Sequence, residues 1–553
     1  MRSCVVAAVA AAAAIATPAH ADPPASPRLA ALATQVAARQ RGAEDAFWTQ
    51  AVADGTPLVE DVHDPKGRLL LTFLYRARPD TRAVALYVAP GGIYNYARLE
   101  RLAGTGVFAY SALVEPSARF SYVLAPGDDL GPPGGGRADL DRRVPLFRPD
   151  ALNQHPYHAR SLVELPRAPA QPLLVPHRET APGELTRFTA NSRALGNQRE
   201  VVVYTPAGWK AGGAPYPLVV MFDGAGAIVR LGLTIVLDEL IAARRIPPAV
   251  VLVVDNVDRD RELPGNAAFA DFVALDLVPW VRRAYHATGD PRRTVVAGIS
   301  YGGIAAAYAA ERHPEVYGNV LSQSGSYWWA PDDADEGEAH VRAFAALPRL
   351  PLRFWMEIGN LEHGVVRPGY DPVAAHRHMR DVLIARGYEV SYHEYAGAHD
   401  WACWRGTLGD GLTALLARPP SFAVRPPPAP GKPGGVEIGP PRPSLLARVL
   451  RTAILDGGDA AVAWLAQQDA AVATDDEVLA AASAVLELDH WKPALRILAW
   501  STERSPQSAA AHDALGDAYW HGGDRARAVA SYQRSLALDP RNDHARAMLD
   551  VLR

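Results

Sequence analysis

The stretch TVVAGISYGGIAAAYAA, residues 294–310, decides the fold. Its apolar part, Thr294 to Ala297, runs into the motif Gly298-Ile299-Ser300-Tyr301-Gly302, and a helix-favouring run follows from Gly303. A serine at that point lies on a sharp strand-to-helix turn, where larger side chains than the flanking glycines would clash. The five-residue pattern alone is only moderately specific. With a strand before it and a helix after it, the motif predicts that Ser300 is a nucleophile.

Apolar strands and helical stretches alternate on both sides of this motif. Continuous apolar strands are expected where helices cover both faces of a parallel sheet. The alternation predicts a doubly wound α/β domain of the hydrolase type over residues 181–418. The predicted strands are 199–204, 217–222, 249–254, 294–297 and 352–358. The predicted helices are 233–244, 267–283, 303–312 and 372–386.

A serine hydroxyl needs a base to take its proton and an acid to orient that base. His399 follows the predicted strand 389–395 after a glycine-containing turn, so we expect it at the carboxyl edge of the sheet, over Ser300. Glu362 follows the strand 352–358 and is the candidate acid. Asp371 and Asp400 compete for that role, although a residue adjacent to the histidine rarely reaches its far nitrogen.

The oxyanion that forms during attack on an ester needs two backbone N–H donors. Tyr301, next to the nucleophile, is expected to give the first. The turn after the strand 217–222 is expected to give the second, from Gly224 or Ala225. This chemistry needs neither a metal nor a cofactor, and no His/Cys/Asp cluster with metal-ligand spacing occurs outside these candidates.

Two segments precede the hydrolase stretch. Arg2, an apolar run to about Thr17 and the small-x-small site Ala19-His20-Ala21 predict an export signal, residues 1–21, and hence a periplasmic or secreted protein. The run is shorter than the roughly 20 residues that span a bilayer, so no membrane span is expected. Residues 22–180 contain short strands separated by turns, which predict an all-β immunoglobulin-like sandwich. Its clearest strands are 69–75, 83–88, 107–114 and 119–124.

The chain changes character again after the hydrolase stretch. Residues 419–444 are rich in proline and are predicted to form a semi-rigid linker. Residues 445–553 have helical spacing and predict an all-α, tetratricopeptide-like segment. Such helix pairs bury their apolar faces only against neighbours, so a short array packs on itself or on the esterase, or binds a protein partner. The repeat positions are Leu515, Gly516, Tyr519, Ala528, Tyr532 and Pro540, with Ala494 and Pro506 one period earlier.

Length and composition set outer limits on function. The 553 residues exceed the roughly 250–300 that one hydrophobic core supports, so several domains are expected. A net charge of −4 shows no basic excess, which argues against a nucleic-acid partner. Of the two cysteines, Cys4 lies in the predicted export signal, which leaves Cys403 with no disulfide partner in the mature chain. Cys403 lies between tryptophans, and we expect a buried, inert thiol.

Several motifs resemble those of the enterochelin (ferric enterobactin) esterases. The resemblance covers roughly residues 45–415. The motifs are Gly55-Thr56-Pro57-Leu58, Arg101-Leu102-Ala103-Gly104-Thr105-Gly106, Arg259-Asp260-Arg261-Glu262-Leu263, Ser322-Gln323-Ser324-Gly325-Ser326-Tyr327-Trp328-Trp329 and Gly397-Ala398-His399-Asp400-Trp401-Ala402-Cys403-Trp404-Arg405-Gly406.

The resemblance implies hydrolysis of the esters of a cyclic catecholate siderophore, which lets the bound iron be released. It also implies that Arg259 and Arg261 meet the negatively charged catecholate, with Trp328 and Trp329 as further substrate-binding residues. A guanidinium pairs well with planar oxygen donors. The chain departs from the best-known members in its export signal and its helical tail. The substrate therefore stays open at this point.

Three functions are consistent with the sequence. The first is an exported esterase that acts on a catecholate siderophore or a similar triester. The second is a feruloyl or acetyl esterase that acts on carbohydrate-linked esters. The third is a scaffold without catalysis, which binds a protein partner through the helical tail. The intact candidates for nucleophile, base and acid favour an enzyme.

Overall fold

The structure is a computed structural model. It describes residues 26–88, 95–129, 131, 137–157, 159–331, 334, 336–364, 369–420 and 433–552. The predicted export signal lies outside these residues, as do residues 421–432 of the proline-rich stretch.

Two antiparallel sheets, preceded by two helices, make up most of the N-terminal part that the structure describes. The helices are α1 (Pro27–Ala37) and α2 (Ala43–Asp54). One sheet has the order β1-β2-β6-β5 and the other β4-β3-β7-β9-β8. The strands of the first sheet are β1 (Leu58–Glu60), β2 (Leu69–Arg76), β5 (Glu100–Arg101) and β6 (Val107–Val114). Those of the second are β3 (Val84–Val88), β4 (Asn95–Arg98), β7 (Arg119–Pro126), β8 (Pro156–Tyr157) and β9 (Arg160–Glu164), and a short helix, α3 (Arg137–Arg143), lies between β7 and β8.

The two sheets share one apolar core. Phe73 and Phe108 enter it from the first sheet, and Leu86, Phe120 and Tyr122 enter it from the second. The predicted strands 69–75, 83–88, 107–114 and 119–124 are all present. The relation to the immunoglobulin fold stays a prediction. Helices α1 and α2 were not expected from the sequence. They pack on the first sheet and form a separate small core with it.

A ten-stranded, mostly parallel sheet forms the centre of the molecule. Its order is β17-β16-β15-β14-β12-β13-β11-β10-β18, and β19 also pairs with β10. Strands β12, β14 and β15 are buried along their whole length, as expected for a sheet covered on both faces. The strands are β10 (Glu184–Ser192), β11 (Asn197–Thr205), β12 (Leu218–Met221), β13 (Val250–Val254), β14 (Thr294–Ile299), β15 (Asn319–Gln323), β16 (Arg353–Gly359), β17 (Glu389–Tyr395), β18 (Val436–Ile438) and β19 (Arg442–Pro443).

Helices cover both faces of this sheet, which confirms an α/β-hydrolase-like core. On one face lie α4 (Gly224–Arg230), α5 (Leu233–Ala242) and α12 (Trp401–Leu416). On the other face lie α7 (Ala267–Asp271), which continues through a π-helical turn, Phe272–Leu277, into α8 (Val278–Ala284), then α9 (Tyr301–Arg312), α10 (Ala339–Ala346) and α11 (Pro372–Ala385). A short helix, α6 (Arg259–Glu262), follows β13. No helix among the described residues has the length and apolar character needed to cross a membrane.

Seven helices form the C-terminal tail. They are α13 (Leu446–Asp456), α14 (Gly458–Leu465), α15 (Asp475–Glu487), α16 (Trp491–Arg504), α17 (Ala509–His521), α18 (Arg525–Leu538) and α19 (Asp543–Leu552). Gly516 is needed between α17 and α18, because a Cβ there would lie 2.5 Å from the Tyr532 ring. The tetratricopeptide character of these helices stays a prediction.

The tail packs on the rest of the protein rather than standing apart from it. Leu450 of α13 and Val485 of α15 belong to the same apolar core as Leu237 of α5 and Leu408 of α12. At its far end, Asp550 of α19 forms an ion pair of 3.5 Å with Arg148 of the N-terminal part. The tail therefore spans both the hydrolase core and the N-terminal sheets.

Residues 419–444 were predicted to form a semi-rigid linker, but part of this stretch belongs to the central sheet. Strands β18 and β19, which follow the proline-rich residues, pair antiparallel with β10 at the edge of the central sheet. The expectation was wrong for residues 436–443, because an exposed strand edge offers backbone partners that composition does not reveal.

Candidate functional site

Ser300 lies on a strained turn between β14 and α9. Its backbone has φ 57° and ψ −118°, a conformation that L-residues adopt rarely and that clusters at functional sites. A Cβ on Gly298 would lie 2.3 Å from the carbonyl of Gly302, and one on Gly302 would lie 2.2 Å from the Asp223 carboxylate. Gly298 is therefore required by close backbone approach, and a side chain on Gly302 would displace the Asp223 carboxylate.

The structure brings Ser300, His399 and Glu362 together in one chain of hydrogen bonds. Ser300 Oγ lies 2.8 Å from His399 Nε2, and His399 Nδ1 lies 2.6 Å from Glu362 Oε2. These residues follow β14, β17 and β16, whose carboxyl ends meet at one edge of the parallel sheet. The arrangement can deprotonate a serine hydroxyl and stabilise the imidazolium that results.

Glu362 is held by more than the histidine. Its side chain is 1% exposed, and Oε1 accepts hydrogen bonds from Gly359 N at 2.8 Å and from Ser324 Oγ at 2.6 Å. The Trp404 indole N–H donates to Ser324 Oγ at 2.9 Å, and its ring packs edge-on against His399. Ser324 was absent from the sequence candidates because no local motif marks a residue that contacts the acid.

The two competing carboxylates have other partners. Asp371 accepts a hydrogen bond from Ala374 N at the start of α11 and pairs with His363. Asp400 accepts from Ala402 N at 3.0 Å, which caps α12. Of the three candidate acids, Glu362 is the one whose hydrogen bond to the His399 ring is identified among the described residues.

The N-terminal part directly supports the loop that carries His399. Ser121 N in β7 donates to Asp400 Oδ2 at 2.6 Å, and Arg119 N donates to Ala396 O at 3.2 Å. The Cys403 thiol donates to Arg119 O at 3.0 Å, and burial raises its pKa well above the usual range. Residues nearly 280 positions apart thus meet at the site, and no sequence pattern predicts this contact.

The candidate oxyanion donors lie at the starts of two helices on opposite faces of the sheet. Tyr301 is the first residue of α9, and Gly224 and Ala225 are the first residues of α4. The first N–H groups of a helix have no partner within it and can receive an anion. Gly224 is required by close approach, because a Cβ there would lie 2.3 Å from the Asp255 carboxylate.

The two candidate arginines have different surroundings. Arg259 Nε donates to Asp223 Oδ1 at 2.7 Å, and its guanidinium lies 5.5 Å from the centre of the Tyr301 ring, beside the nucleophile. The Arg261 side chain is 85% exposed and approaches only Asp258, at 4.0 Å, among the ion pairs identified. Arg259 thus lies beside the Ser300 turn, whereas Arg261 lies at the surface.

The two candidate tryptophans also differ. The Trp328 ring lies 6.1 Å from that of Tyr301, so it borders the nucleophile turn. Trp329 stacks on His340 at 5.6 Å and lies against Gly265.

A second buried carboxyl group, Glu357, lies behind the acid. It accepts hydrogen bonds from Thr407 Oγ1 at 2.6 Å and from Gln323 Nε2 at 2.7 Å. Burial raises its pKa to about 8, and the nearby Glu362 carboxylate adds to the rise. The raised pKa favours the protonated form of Glu357 at neutral pH, in which it adds no second negative charge beside Glu362. Within the described part of the chain, no group of three or more His, Cys, Asp or Glu side chains could hold a metal ion.

The parallel sheet and the strand-Ser300-helix turn define an α/β-hydrolase-like core of the esterase type. Two family models match the chain: "Putative esterase" over residues 192–415 and "Enterochelin esterase, N-terminal" over residues 70–174.

Curated relatives lead to a particular family. The chain is 34% identical over 426 residues to the iron(III) enterobactin esterase of Dickeya dadantii, an alignment that covers 70% of this chain and 95% of the relative. It is 30% identical over 413 residues to the iron(III) salmochelin esterase of Escherichia coli O6:H1, which covers 70% and 97%. The chain belongs to the enterochelin esterase family.

Solved structures agree with this assignment. The ferric enterobactin esterase of Salmonella typhimurium aligns with a TM-score of 0.53 and 30% identity, over 67% of this chain and 98% of that one. The enterobactin esterase of Shigella flexneri, solved in the presence of enterobactin, aligns with a TM-score of 0.52 and 29% identity, over 67% and 97%.

Proposed function

We propose that this chain is an exported serine esterase that hydrolyses the ester bonds of a catecholate siderophore such as enterobactin. The observation that carries the proposal is the continuous chain of hydrogen bonds from Ser300 through His399 to Glu362, at 2.8 and 2.6 Å. Relatives of this chain are named as esterases of iron(III) enterobactin and iron(III) salmochelin, and these names support the substrate class.

In the first step, Ser300 Oγ attacks the carbonyl carbon of a substrate ester while His399 Nε2 takes the hydroxyl proton. Glu362 accepts the hydrogen bond from His399 Nδ1 and stabilises the imidazolium. The tetrahedral intermediate then collapses, and His399 returns its proton to the departing alcohol oxygen. Water repeats the sequence on the acyl-enzyme and frees Ser300.

Two backbone N–H groups stabilise the developing oxyanion in this mechanism. Tyr301 N supplies one, and Gly224 or Ala225 supplies the other from the start of α4. Their value is that they are already oriented before the reaction, so no reorganisation is needed as charge develops.

The substrate side of the site is built from cationic and aromatic side chains. Arg259, beside Tyr301 and close to Ser300, is the stronger candidate for meeting catecholate oxygens. Arg261 is free to move toward a bound ligand because its side chain is mostly exposed. Trp328 borders the nucleophile turn and is the stronger aromatic candidate, whereas Trp329 stacks on His340. Iron enters only as cargo of the substrate, and hydrolysis of the ester ring lets the bound iron be released.

The decisive experiment compares two substrates. Purified wild type is incubated with ferric enterobactin and with methyl ferulate, and products are followed by mass spectrometry as additions of one water per ester cut. We expect cleavage of ferric enterobactin and a loss of about 10⁴-fold or more in kcat for Ser300→Ala. Cleavage of methyl ferulate alone would favour the carbohydrate-linked esterase, and equal, slow turnover by wild type and Ser300→Ala would favour the scaffold.

Export is tested separately. Expression of the full chain in a bacterial host followed by cell fractionation should give a periplasmic product whose first residue is Asp22. A product that keeps Met1 and stays inside the cell would refute the predicted signal.

A further inference from the structure

The turn that ends helix α15 of the tail, Glu487-Leu488-Asp489, reaches the two hydrolase helices that flank the candidate site. Glu487 Oε2 lies 3.7 Å from Arg230 Nε of α4. Leu488 packs against Gly232, which separates α4 from α5. Asp489 Oδ2 accepts a hydrogen bond from Arg405 Nη2 of α12 at 2.8 Å. The turn thus contacts α4 through Glu487 and α12 through Asp489, with Leu488 packed beside the end of α4.

The contact to α12 is the more deeply buried one. The Arg405 side chain is 6% exposed, and its other donors go to Gln171 Oε1 at 3.0 Å and to the Glu487 carbonyl at 3.4 Å. A buried guanidinium without a carboxylate partner is costly, so this pairing ties the tail firmly to α12. The Arg405 guanidinium also lies 5.5 Å from the centre of the Tyr157 ring in the N-terminal part.

Both contacted helices begin at the reacting groups. α4 starts with Gly224 and Ala225, the candidate oxyanion donors, and α12 starts directly after His399 and Asp400. Trp404, next to Arg405, packs against the His399 ring and donates to Ser324. Arg230 of α4 in turn lies over the ring of Trp401 in α12. A displacement of either helix therefore moves a donor or the base relative to Ser300.

We propose that the Glu487–Asp489 turn is a positioning element of the active site, through which the helical tail sets the relative placement of α4 and α12. Glu487 and Asp489 are positioning residues: they act through Arg230 and Arg405 and touch no reacting atom. The tail then serves catalysis from within the same chain. This inference rests on the proposed esterase function.

The same helix provides a matched control. Glu477, near the start of α15, also pairs with a hydrolase arginine, Arg187 of β10, at 3.2 Å, but β10 lies four strands along the sheet from β14, which leads to Ser300. Glu487→Gln and Glu477→Gln therefore make the same chemical change in the same helix, and only the first touches a helix that leads to the site. Asp489→Asn is the second test variant, since asparagine tolerates the backbone φ of 67° at that position.

The full chain is assayed with p-nitrophenyl butyrate for kcat and KM, with a fluorophosphonate for the rate of labelling at Ser300, and by thermal unfolding. We expect Glu487→Gln and Asp489→Asn to lower kcat about three- to tenfold and the labelling rate in parallel, with KM within about twofold. Glu477→Gln should match wild type in all three kinetic values.

Equal kinetics for Glu487→Gln and Glu477→Gln would overturn the proposal. A change in KM without a change in kcat would also overturn it. Should Asp489→Asn fold poorly, Glu487→Gln decides the matter, because its arginine partner is 44% exposed and tolerates the loss. Failure to cleave ferric enterobactin would overturn the proposed substrate but not this comparison, which uses a generic ester.

Discussion

Replacing Glu362 by glutamine should abolish almost all activity, for a reason that lies in the second oxygen of the carboxylate. Oε1 accepts hydrogen bonds from the Gly359 backbone N–H and from Ser324. A backbone N–H cannot reverse its role, so the amide oxygen of a glutamine has to take the Oε1 position. The amide NH₂ group then occupies the Oε2 position and donates to His399 Nδ1.

That donation places the histidine proton on the wrong nitrogen. With Nδ1 acting as an acceptor, the proton lies on Nε2, which is the atom 2.8 Å from Ser300 Oγ, and the ring can no longer accept the serine proton. In serine proteases the same tautomer error costs about 10⁴ in kcat, which corresponds to about 5.5 kcal/mol of activation free energy. We expect a loss of that order for Glu362→Gln.

The assay is hydrolysis of p-nitrophenyl butyrate under substrate saturation, with the folded fraction checked by circular dichroism. Ser324→Ala is the control, because it removes one donor to Oε1 and leaves the charge and the tautomer unchanged. It should reduce kcat only about five- to tenfold, or about 1–1.4 kcal/mol. A Glu362→Gln enzyme that keeps more than about a tenth of wild-type kcat would show that the hydrogen-bond argument is wrong.

Three further predictions concern the surroundings of the site. Asp400→Ala removes the acceptor for Ser121 N and the cap of α12, so it should lower the free energy of unfolding by about 2–3 kcal/mol in urea titration and also lower kcat; an unchanged urea midpoint would contradict this. Burial raises the Glu357 pKa to about 8, so the folded state keeps a proton that the unfolded state releases, and stability should fall as pH rises from about 4.5 to about 8. Glu357→Gln should flatten that part of the wild-type stability profile, and an identical profile would count against a protonated Glu357. Cys403 should resist a chromogenic thiol reagent in native Cys4→Ser protein and react only after unfolding, because its thiol is buried and bonded to Arg119 O.

Sequence-based expectations succeeded where the signal is local. The Ser300 turn follows from five residues and their flanks, and the parallel strands follow from unbroken apolar runs. The expectation that His399 and Glu362 lie near Ser300 followed from one general rule, which is that loops at the carboxyl ends of parallel strands converge. Their distances in the structure agree with that expectation, and their roles stay predictions.

What was missed depends on contacts between distant parts of the chain. Ser121 and Asp400 are 279 positions apart, and no sequence signal near either residue predicts their contact. The protonation of Glu357 follows from complete burial beside another carboxylate, which composition cannot reveal. Arg259 and Arg261 look equivalent in the sequence. Only the packing shows that Arg259 lies beside the Ser300 turn and that Arg261 is exposed to solvent.

The strands β18 and β19 have a practical consequence for anyone who shortens this protein. They supply hydrogen-bonding partners to the outer side of β10, a nine-residue strand that would otherwise end the sheet. An open strand of that length is a template for pairing between molecules and for aggregation. A catalytic fragment cut at Arg418, where the α/β pattern ends, would expose it. A fragment meant for solution work should therefore keep residues 433–444, which cover the edge of the sheet, whether or not it keeps the helices of the tail.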